Sequence, residues 1–327
     1  MKKLIYTLNL QLFALTDYTQ NQTKTTTPAM APTIKEFYDT SLLLNARENM
    51  VFNQFGKKQT MTHGKTAEWR RFNTFDDALD PITEGVVPEG STFGMSTVKA
   101  TIGQYGDYTT YTDMLELVDF DDTIFGATEE MGAAMGSTFD TLTRNALVGG
   151  NSVVYAGSAT SRATLSGTDK ITPTLVNKAV TWLKKNKAPK IDGYYVAIIH
   201  PSVAEDLRES DGWKEAHQYA ATREIFNGEI GELHGCRFIE STKAKVWRET
   251  KGAVYATLFL GKDAYGTVEL EGGGQQMIIH TKDEVGGPLD QFGTIGYKFT
   301  HGAAILYPER LLRLETNSSY SSIDEAN

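Results

Sequence analysis

The segment between residues 171 and 283 alternates helix-like and strand-like patterns, and it constrains the fold more than any other feature. Helical spacing marks 173–187 and 202–209, whereas 194–199, 237–240 and 253–260 have the pattern of strands. This alternation is typical of an α/β lobe with its own sheet. Strand-like sequence returns at 292–306 and 310–314. The lobe is therefore predicted to be an insertion, with the chain before and after it sharing one sheet.

The chain before the lobe predicts one long helix and one long two-stranded excursion. Apolar side chains recur at steps of three and four over 121–147, which indicates a helix roughly 40 Å long. Its three glycines each weaken it by roughly 1 kcal/mol, so packing must hold it. Between 56 and 112, β-prone runs flank turn-rich sequence and predict an extended loop. Two strands alone bury too little apolar surface, so the loop must lie on something else.

The N-terminal residues predict an arm that needs a partner surface. Alternation over 4–12 places Leu8, Leu10 and Leu12 on one side of an extended chain. A secretory signal is a poor interpretation, because polar residues interrupt the apolar run and no small-residue cleavage site follows. A Thr/Gln/Asn-rich linker reaches residue 32, and helical spacing follows over 33–55.

Charge is unevenly distributed along the 327 residues. The formal net charge is −9, yet residues 1–75 hold ten basic and five acidic side chains, and residues 76–140 hold one basic and fourteen acidic ones. Complementary surfaces between copies of the chain and two unrelated solvated faces both explain this pattern. The single Cys excludes an intrachain disulfide, and every apolar run is too short to span a membrane.

No motif in the sequence predicts catalysis, a cofactor or a metal. A Gly-Lys-Thr string at 64–66 lacks the glycine that opens a phosphate-binding loop. Glu232, His234 and Cys236 alternate, but no second pair of ligands accompanies them. His200 ends an apolar strand just before a proline, where a hydrogen-bonded cap is the more common role. The sequence therefore predicts neither an enzyme nor a cofactor-binding protein.

Two groups of basic residues allow two interpretations, a nucleic-acid contact or a solvated surface. Lys184, Lys185, Lys187 and Lys190 cluster at the predicted end of a helix, and residues 69–72 (WRRF) interleave aromatic and basic side chains. Either group could contact nucleic acid. The net charge opposes this, and lysines at a helix end are commonly a solvated face that offsets the helix dipole.

Several strings resemble the coat-protein family typified by coliphage N-four, and they occur in the family's order. The opening residues 8–14 (LNLQLFA) are in addition similar to the start of coat proteins from phages of Gram-positive bacteria. The family-like strings lie at 80–85 (DPITEG), 102–108 (IGQYGDY), 197–201 (AIIHP), 213–217 (WKEAH) and 225–231 (IFNGEIG).

The resemblance implies an α+β protein with the Hong Kong 97 fold of tailed-phage capsids. Mapped by order, it implies an N-terminal arm at 1–32, a helix joining arm to loop at 33–55, an extended β-hairpin loop at 56–112, a peripheral domain with a long spine helix at 113–165 and 285–327, and an inserted α/β axial domain at 166–284.

The implied function is a major capsid protein that self-assembles into pentamers and hexamers of an icosahedral head. Such a shell assembles in the host bacterial cytoplasm and encloses double-stranded DNA, which touches its inner face non-specifically. Portal, scaffolding and decoration proteins are the other implied partners, and no membrane is involved. The competing classes are a secreted surface-layer or adhesin-type protein and an α/β hydrolase. Neither a cleavable signal nor a nucleophile–base pair is present to favour them.

Charge and the expectation that loops of this family reach over a neighbour predict contacts between subunits. The basic part of the loop is expected to lie across the acidic stretch of the next copy. The candidate contact residues are the arm leucines Leu8, Leu10 and Leu12, the basic residues Lys57, Lys58, Lys65, Arg70 and Arg71, and the acidic residues Asp119, Asp121, Asp122, Glu129 and Glu130.

Overall fold

The computed structural model describes residues 50–72, 90–118, 123–214, 229–285 and 289–327, with single positions between 73 and 89. The helices are α1 (Asp113–Val118), α2 (Thr123–Val148), α3 (Pro173–Lys185), α4 (Pro201–Glu209) and α5 (Lys282–Val285). The strands are β1 (Lys57–Met61), β2 (Thr66–Phe72), β3 (Met95–Thr101), β4 (Gly103–Thr112), β5 (Val153–Tyr155), β6 (Tyr195–Ile199), β7 (Glu229–Leu233), β8 (Cys236–Glu240), β9 (Val246–Glu249), β10 (Gly252–Leu260), β11 (Tyr265–Leu270), β12 (Gln276–His280), β13 (Phe292–Ile305) and β14 (Leu311–Thr316).

A five-stranded sheet forms around the long strand β13. Its order is β1-β11-β13-β12, and β4 also pairs with β13, antiparallel, over ten residues. Helix α2 packs on one face of this sheet, where Met135 and Phe139 meet Tyr297 and Phe299. Because β4 precedes the inserted lobe and β13 follows it, the prediction that the chain on both sides of the lobe shares one sheet is confirmed.

The α/β lobe is built on a seven-stranded sheet of order β5-β14-β10-β6-β8-β7, with β9 also paired to β10. Its core contains all the buried residues of α3 and side chains from β6, β8 and β10. Helix α3 begins where the sequence predicts, because the Thr172 side chain accepts a hydrogen bond from the backbone N–H of Leu175 and Pro173 occupies the first turn.

Helix α2 confirms the long helix predicted from periodicity. Of its three glycines, Gly132 and Gly136 are buried, so the missing side chains allow close packing where a larger residue would hold the helix away. The Phe139 and Phe299 ring centroids lie 5.3 Å apart. Packing against β13 therefore offsets the low helix propensity of glycine.

The strand pairing corrects the predicted extent of the extended loop, 56–112. Only β2 and β3 form the two-stranded ribbon, whereas β1 pairs with β11 and β4 pairs with β13. Pairing also crosses the predicted boundary near residue 284. Strands β11 and β12 join the five-stranded sheet, and β14 joins the sheet of the lobe. Local patterns identify strands but contain no information on which distant strand each one will pair with.

The predicted helix over 33–55 is wrong for residues 50–55, which form turns; the rest of that range lies outside the described residues. Here the chain is held between α2 and β11. Asp140 of α2 accepts a hydrogen bond of 2.7 Å from the Phe52 backbone N–H, and the Tyr265 hydroxyl donates to the Phe52 carbonyl. Burial of Phe52 in the core beside Tyr265 stabilises these turns in place of a further helical turn.

Asp140 predicts a pH dependence of stability. Burial raises its pKa to about 6, although backbone amides at 51–53 and the charge of Arg144 act in the opposite direction. When the pKa of a carboxyl group is higher in the folded state than in the unfolded state, its protonated form stabilises the fold. This stability is fully present below the pKa of the unfolded state, and it is lost as the pH rises through the pKa of the folded state. Between pH 4 and 7 the loss is about 2 kcal/mol.

The comparison that isolates this effect is wild type against Asp140→Asn, which keeps an acceptor for the Phe52 amide but cannot ionise. The difference in their urea unfolding free energies should change by about 2 kcal/mol between pH 4 and 7. A difference that stays constant over that range would show that Asp140 titrates normally.

Candidate subunit interface

The base of the ribbon packs on its own subunit. Ala67 and Trp69 of β2 and Ala100 of β3 lie in one apolar cluster with Val268 and Leu306. Gly266 makes this approach possible, because a Cβ atom built there would lie 2.7 Å from the Trp69 ring. The surface that supports the ribbon base is therefore a face of the five-stranded sheet, around β11.

The two adjacent arginines of the ribbon lie on opposite faces. Arg71 is on the inner face with Trp69, where its Nη2 forms an ion pair of 2.5 Å with Oε1 of Glu309 and its guanidinium lies 5.2 Å from the centroid of the Tyr307 ring. Arg70 is exposed on the outer face. Of the two, Arg71 is engaged by its own chain, and Arg70 is the one exposed on the surface of the subunit.

The ion pair with Arg71 contributes to a lowered pKa of the Glu309 carboxylate. Partial burial alone would raise the pKa of Glu309, but hydrogen bonds from its own backbone and from Arg71, with the charges of Arg71 and Arg310, hold it below its usual value. The sequence predicts Arg71 as well as Arg70 as a contact to a neighbour, because adjacent charges look equivalent until the pleat of the strand is known.

The outer face of the ribbon also has a cross-strand ion pair. Lys99 and Glu68 are directly opposite in the strand register, and Nζ lies 2.8 Å from Oε1. Their hydrogen bond lowers the pKa of Glu68 and raises that of Lys99. Both side chains are more than half exposed, so the pair contributes little stability and mainly keeps this part of the surface neutral.

The distal end of the ribbon carries an exposed cluster of three aromatic side chains and one methionine, which was not predicted from the sequence. We call it the aromatic cluster, and its members are Phe72, Phe75, Phe93 and Met95. The rings of Phe72 and Phe93 stack with centroids 5.1 Å apart, and Phe75 lies 5.6 Å from Phe93. Each of the four side chains is more than half exposed. The turn-rich sequence between 73 and 93 concealed the cluster, because only strand pairing brings Phe93 beside Phe72. Clustered exposed aromatic side chains mark interaction surfaces.

A second exposed apolar surface is formed by the short helix α1. Met114, Leu117 and Val118 are each at least 64% exposed, although the helix is only six residues long. The backbone N–H of Asp113 donates to the Gln291 carbonyl and fixes the helix at the end of the five-stranded sheet. Apolar groups are therefore exposed both at the ribbon end and on α1.

Of the remaining predicted contact residues, some are exposed and others lie outside the described residues. Lys65 is exposed beside the ribbon base, and Glu129 and Glu130 are exposed on α2. Lys57 and Lys58 are exposed on β1, where the charge of Lys58 opposes the burial that raises the pKa of Glu269. Leu8, Leu10, Leu12, Asp119, Asp121 and Asp122 lie outside the described residues.

His200 and Cys236 have structural roles. His200 caps α4, since its Nδ1 accepts a hydrogen bond from the Ser202 backbone N–H, and burial lowers its pKa. Cys236 is fully buried, and burial raises the pKa of its thiol. Within the described ranges, no three His, Cys, Asp or Glu side chains are grouped to hold a metal ion. None of the helices in those ranges has the length and apolar character needed to cross a bilayer.

Comparison with known proteins decides the family. Residues 94–314 match the family model described as phage capsid protein, which covers more than half of the chain. The chain belongs to the phage capsid protein family. This capsid protein is a structural protein and not an enzyme, and many copies of it build the capsid of the virion. It matches no curated protein sequence.

Solved structures show that the capsid protein has the mixed α+β fold of Hong Kong 97-like capsids. It is similar to the capsid of Ralstonia phage GP4, with 17% identity and a TM-score of 0.66 over 84% of this chain and 90% of that one. The capsid of cyanophage P-SCSP1u is also 17% identical, with a TM-score of 0.62 over 82% of this chain and 89% of that one. A structure of Mycobacterium phage Che8 is 16% identical, with a TM-score of 0.60 over 81% of this chain and 90% of that one.

Proposed function

We propose that this capsid protein forms the pentamers and hexamers of an icosahedral head that encloses double-stranded DNA, and that the outer face of its ribbon docks on the next subunit. The observation that carries the docking is the aromatic cluster at the ribbon end, which is exposed in the single subunit beside the cationic Arg70. An acidic, apolar surface is the complement of such a face.

The surface of the next subunit that complements the ribbon is formed by α1 and the first half of α2. Its exposed apolar side chains suit the aromatic cluster, and Glu129 and Glu130 on α2 supply charge opposite to that of Arg70. A contact between two different surfaces of identical subunits is heterologous and generates a ring when the rotation closes. The same contact repeated around five or six subunits forms a capsomer.

In domain terms, α2 is the spine helix of a peripheral domain that includes the five-stranded sheet. The seven-stranded sheet with α3 and α4 forms the axial domain, with β14 belonging to it. Residues 1–32 remain the proposed arm. Portal, scaffolding and decoration proteins are the further partners, and assembly occurs in the host cytoplasm. The family match gives no support to the secreted surface-layer or adhesin alternative.

Charge reversal tests the docking. Arg70→Glu should slow or reduce shell assembly while leaving the subunit folded, because an exposed side chain contributes little to folding. Glu129→Lys with Glu130→Lys in the same chain should restore part of the assembly by exchanging the two signs. Sedimentation velocity and negative-stain microscopy at low and high salt measure the effect, which salt should weaken.

The matched control is Arg248→Glu, an exposed arginine of β9 in the other sheet. Equal assembly by wild type and Arg70→Glu at low salt, or a failure of the double-lysine variant to restore any of it, would show that the ribbon does not dock on α2.

A further inference from the structure

At one end of the strands of the seven-stranded sheet, cationic side chains come from three separate parts of the chain. The strands β6, β8 and β14 begin at this end and β10 ends there. We define the basic edge by its six side chains: Lys184, Lys185, Lys187, Lys190, Lys262 and Arg310.

Hydrogen bonds hold the three parts together. The Lys262 backbone N–H donates to the Pro189 carbonyl over 2.9 Å, which places it beside Lys190. Arg310 Nη1 donates to the Lys262 carbonyl over 3.1 Å, and the guanidinium lies 4.0 Å from the centroid of the Tyr307 ring. The chain segments that carry Lys190, Lys262 and Arg310 are thus joined directly, although the members of the basic edge are up to 126 residues apart in sequence.

Compensation of a helix dipole does not account for this surface. Lys184 and Lys185 lie in the last turn of α3 and have that role, but Lys190, Lys262 and Arg310 lie beyond the helix. In the part of the chain that is described, no side-chain ion pair joins any of the six to a carboxylate. At the opposite edge cations are paired, as in Lys170–Asp206 and Arg208–Glu240. The acidic residues on the adjoining turns are Asp192, Asp263 and Glu309, and Glu309 forms its ion pair with Arg71.

We propose that the basic edge binds the phosphate backbone of duplex DNA without reading its sequence, and that it faces the DNA inside the shell. The inference rests on the proposed function, since only an enclosed duplex is held against it at high concentration. A row of flexible, unpaired lysines with one arginine suits phosphates, because each contact releases a condensed counterion and requires no base.

The test measures binding of the full-length subunit to a fluorescent 30-base-pair duplex by anisotropy at several salt concentrations. The variant is Lys184→Ala, Lys190→Ala and Lys262→Ala in one chain. The matched control is Lys214→Ala, Lys243→Ala and Lys251→Ala, three exposed lysines outside the basic edge, so both variants lose the same charge. The basic-edge variant should lower the slope of log affinity against log salt by about 2 to 3, and the control should leave it nearly unchanged.

Shell assembly of both variants is measured in parallel. Normal shells from a variant with weakened DNA binding support the inference and separate it from the proposed function. Equal salt slopes for the two variants, or a wild-type subunit that does not bind the duplex, overturn it. Loss of assembly by the basic-edge variant with an unchanged salt slope also overturns it, because the edge would then be a protein contact.

Discussion

Replacing Phe72 and Phe93 by Ser should abolish shell assembly while the subunit stays folded. Both rings are more than half exposed in the single subunit, so little folding energy depends on them. Burying each ring against a neighbour contributes about 1.5 to 3 kcal/mol. Because part of each ring is already buried in the single subunit, the double variant should weaken each contact by about 2 to 3 kcal/mol, which is a factor of about 30 to 160 in the association constant.

Sedimentation velocity measures assembly, and circular dichroism with urea unfolding checks the fold. Tyr320→Ser is the matched control, because Tyr320 is a 72% exposed aromatic residue of the C-terminal segment, outside the ribbon. The control should assemble like the wild type. Normal assembly by the Phe72, Phe93 variant would mean that the aromatic cluster faces solvent in the shell and that the ribbon is held by its charges or not at all.

Glu315→Ala should destabilise the subunit by about 3 to 5 kcal/mol, because it leaves two arginines beside an empty site in the core of the lobe. Glu315 is fully buried on β14. It accepts hydrogen bonds of 2.8 Å from both Arg162 and Arg313, and the Arg162 guanidinium lies 3.5 Å from the centroid of the Trp247 ring. The hydrogen bond to Glu315 raises the pKa of Arg162. Since a guanidinium stays protonated at neutral pH even without such a partner, loss of a proton cannot relieve the effect of the substitution.

Urea unfolding at neutral pH measures the effect. Glu309→Ala is the control, because it also removes a carboxylate from an arginine pair but at a partly exposed site, where the expected cost is about 0 to 1 kcal/mol. A cost below about 1 kcal/mol for Glu315→Ala would show that the two arginines find other acceptors or water when the carboxylate is removed.

Sequence alone located the long helix, both helices of the lobe and the strands β6, β8 and β10, but not β7 or β9. The spacing of apolar residues predicted α2 and α3 to within two residues at each end, and β6 to within one. These elements are encoded locally, since burial of one face at a period of 3.6 or 2 is written in adjacent residues. The resemblance to a coat-protein family depended in the same way on short contiguous strings, and the family match confirms it.

Tertiary structure decided which strands pair and which side chains meet. It placed β14 in the lobe, Arg71 on its own Glu309, and Phe93 against Phe72, and it gathered the basic edge from three segments. Each of these outcomes depends on strand register or on contacts between residues far apart in the chain, and a shift of one residue would reverse the faces of a strand. Local sequence therefore determined what elements this capsid protein contains, and long-range packing determined which surfaces they present.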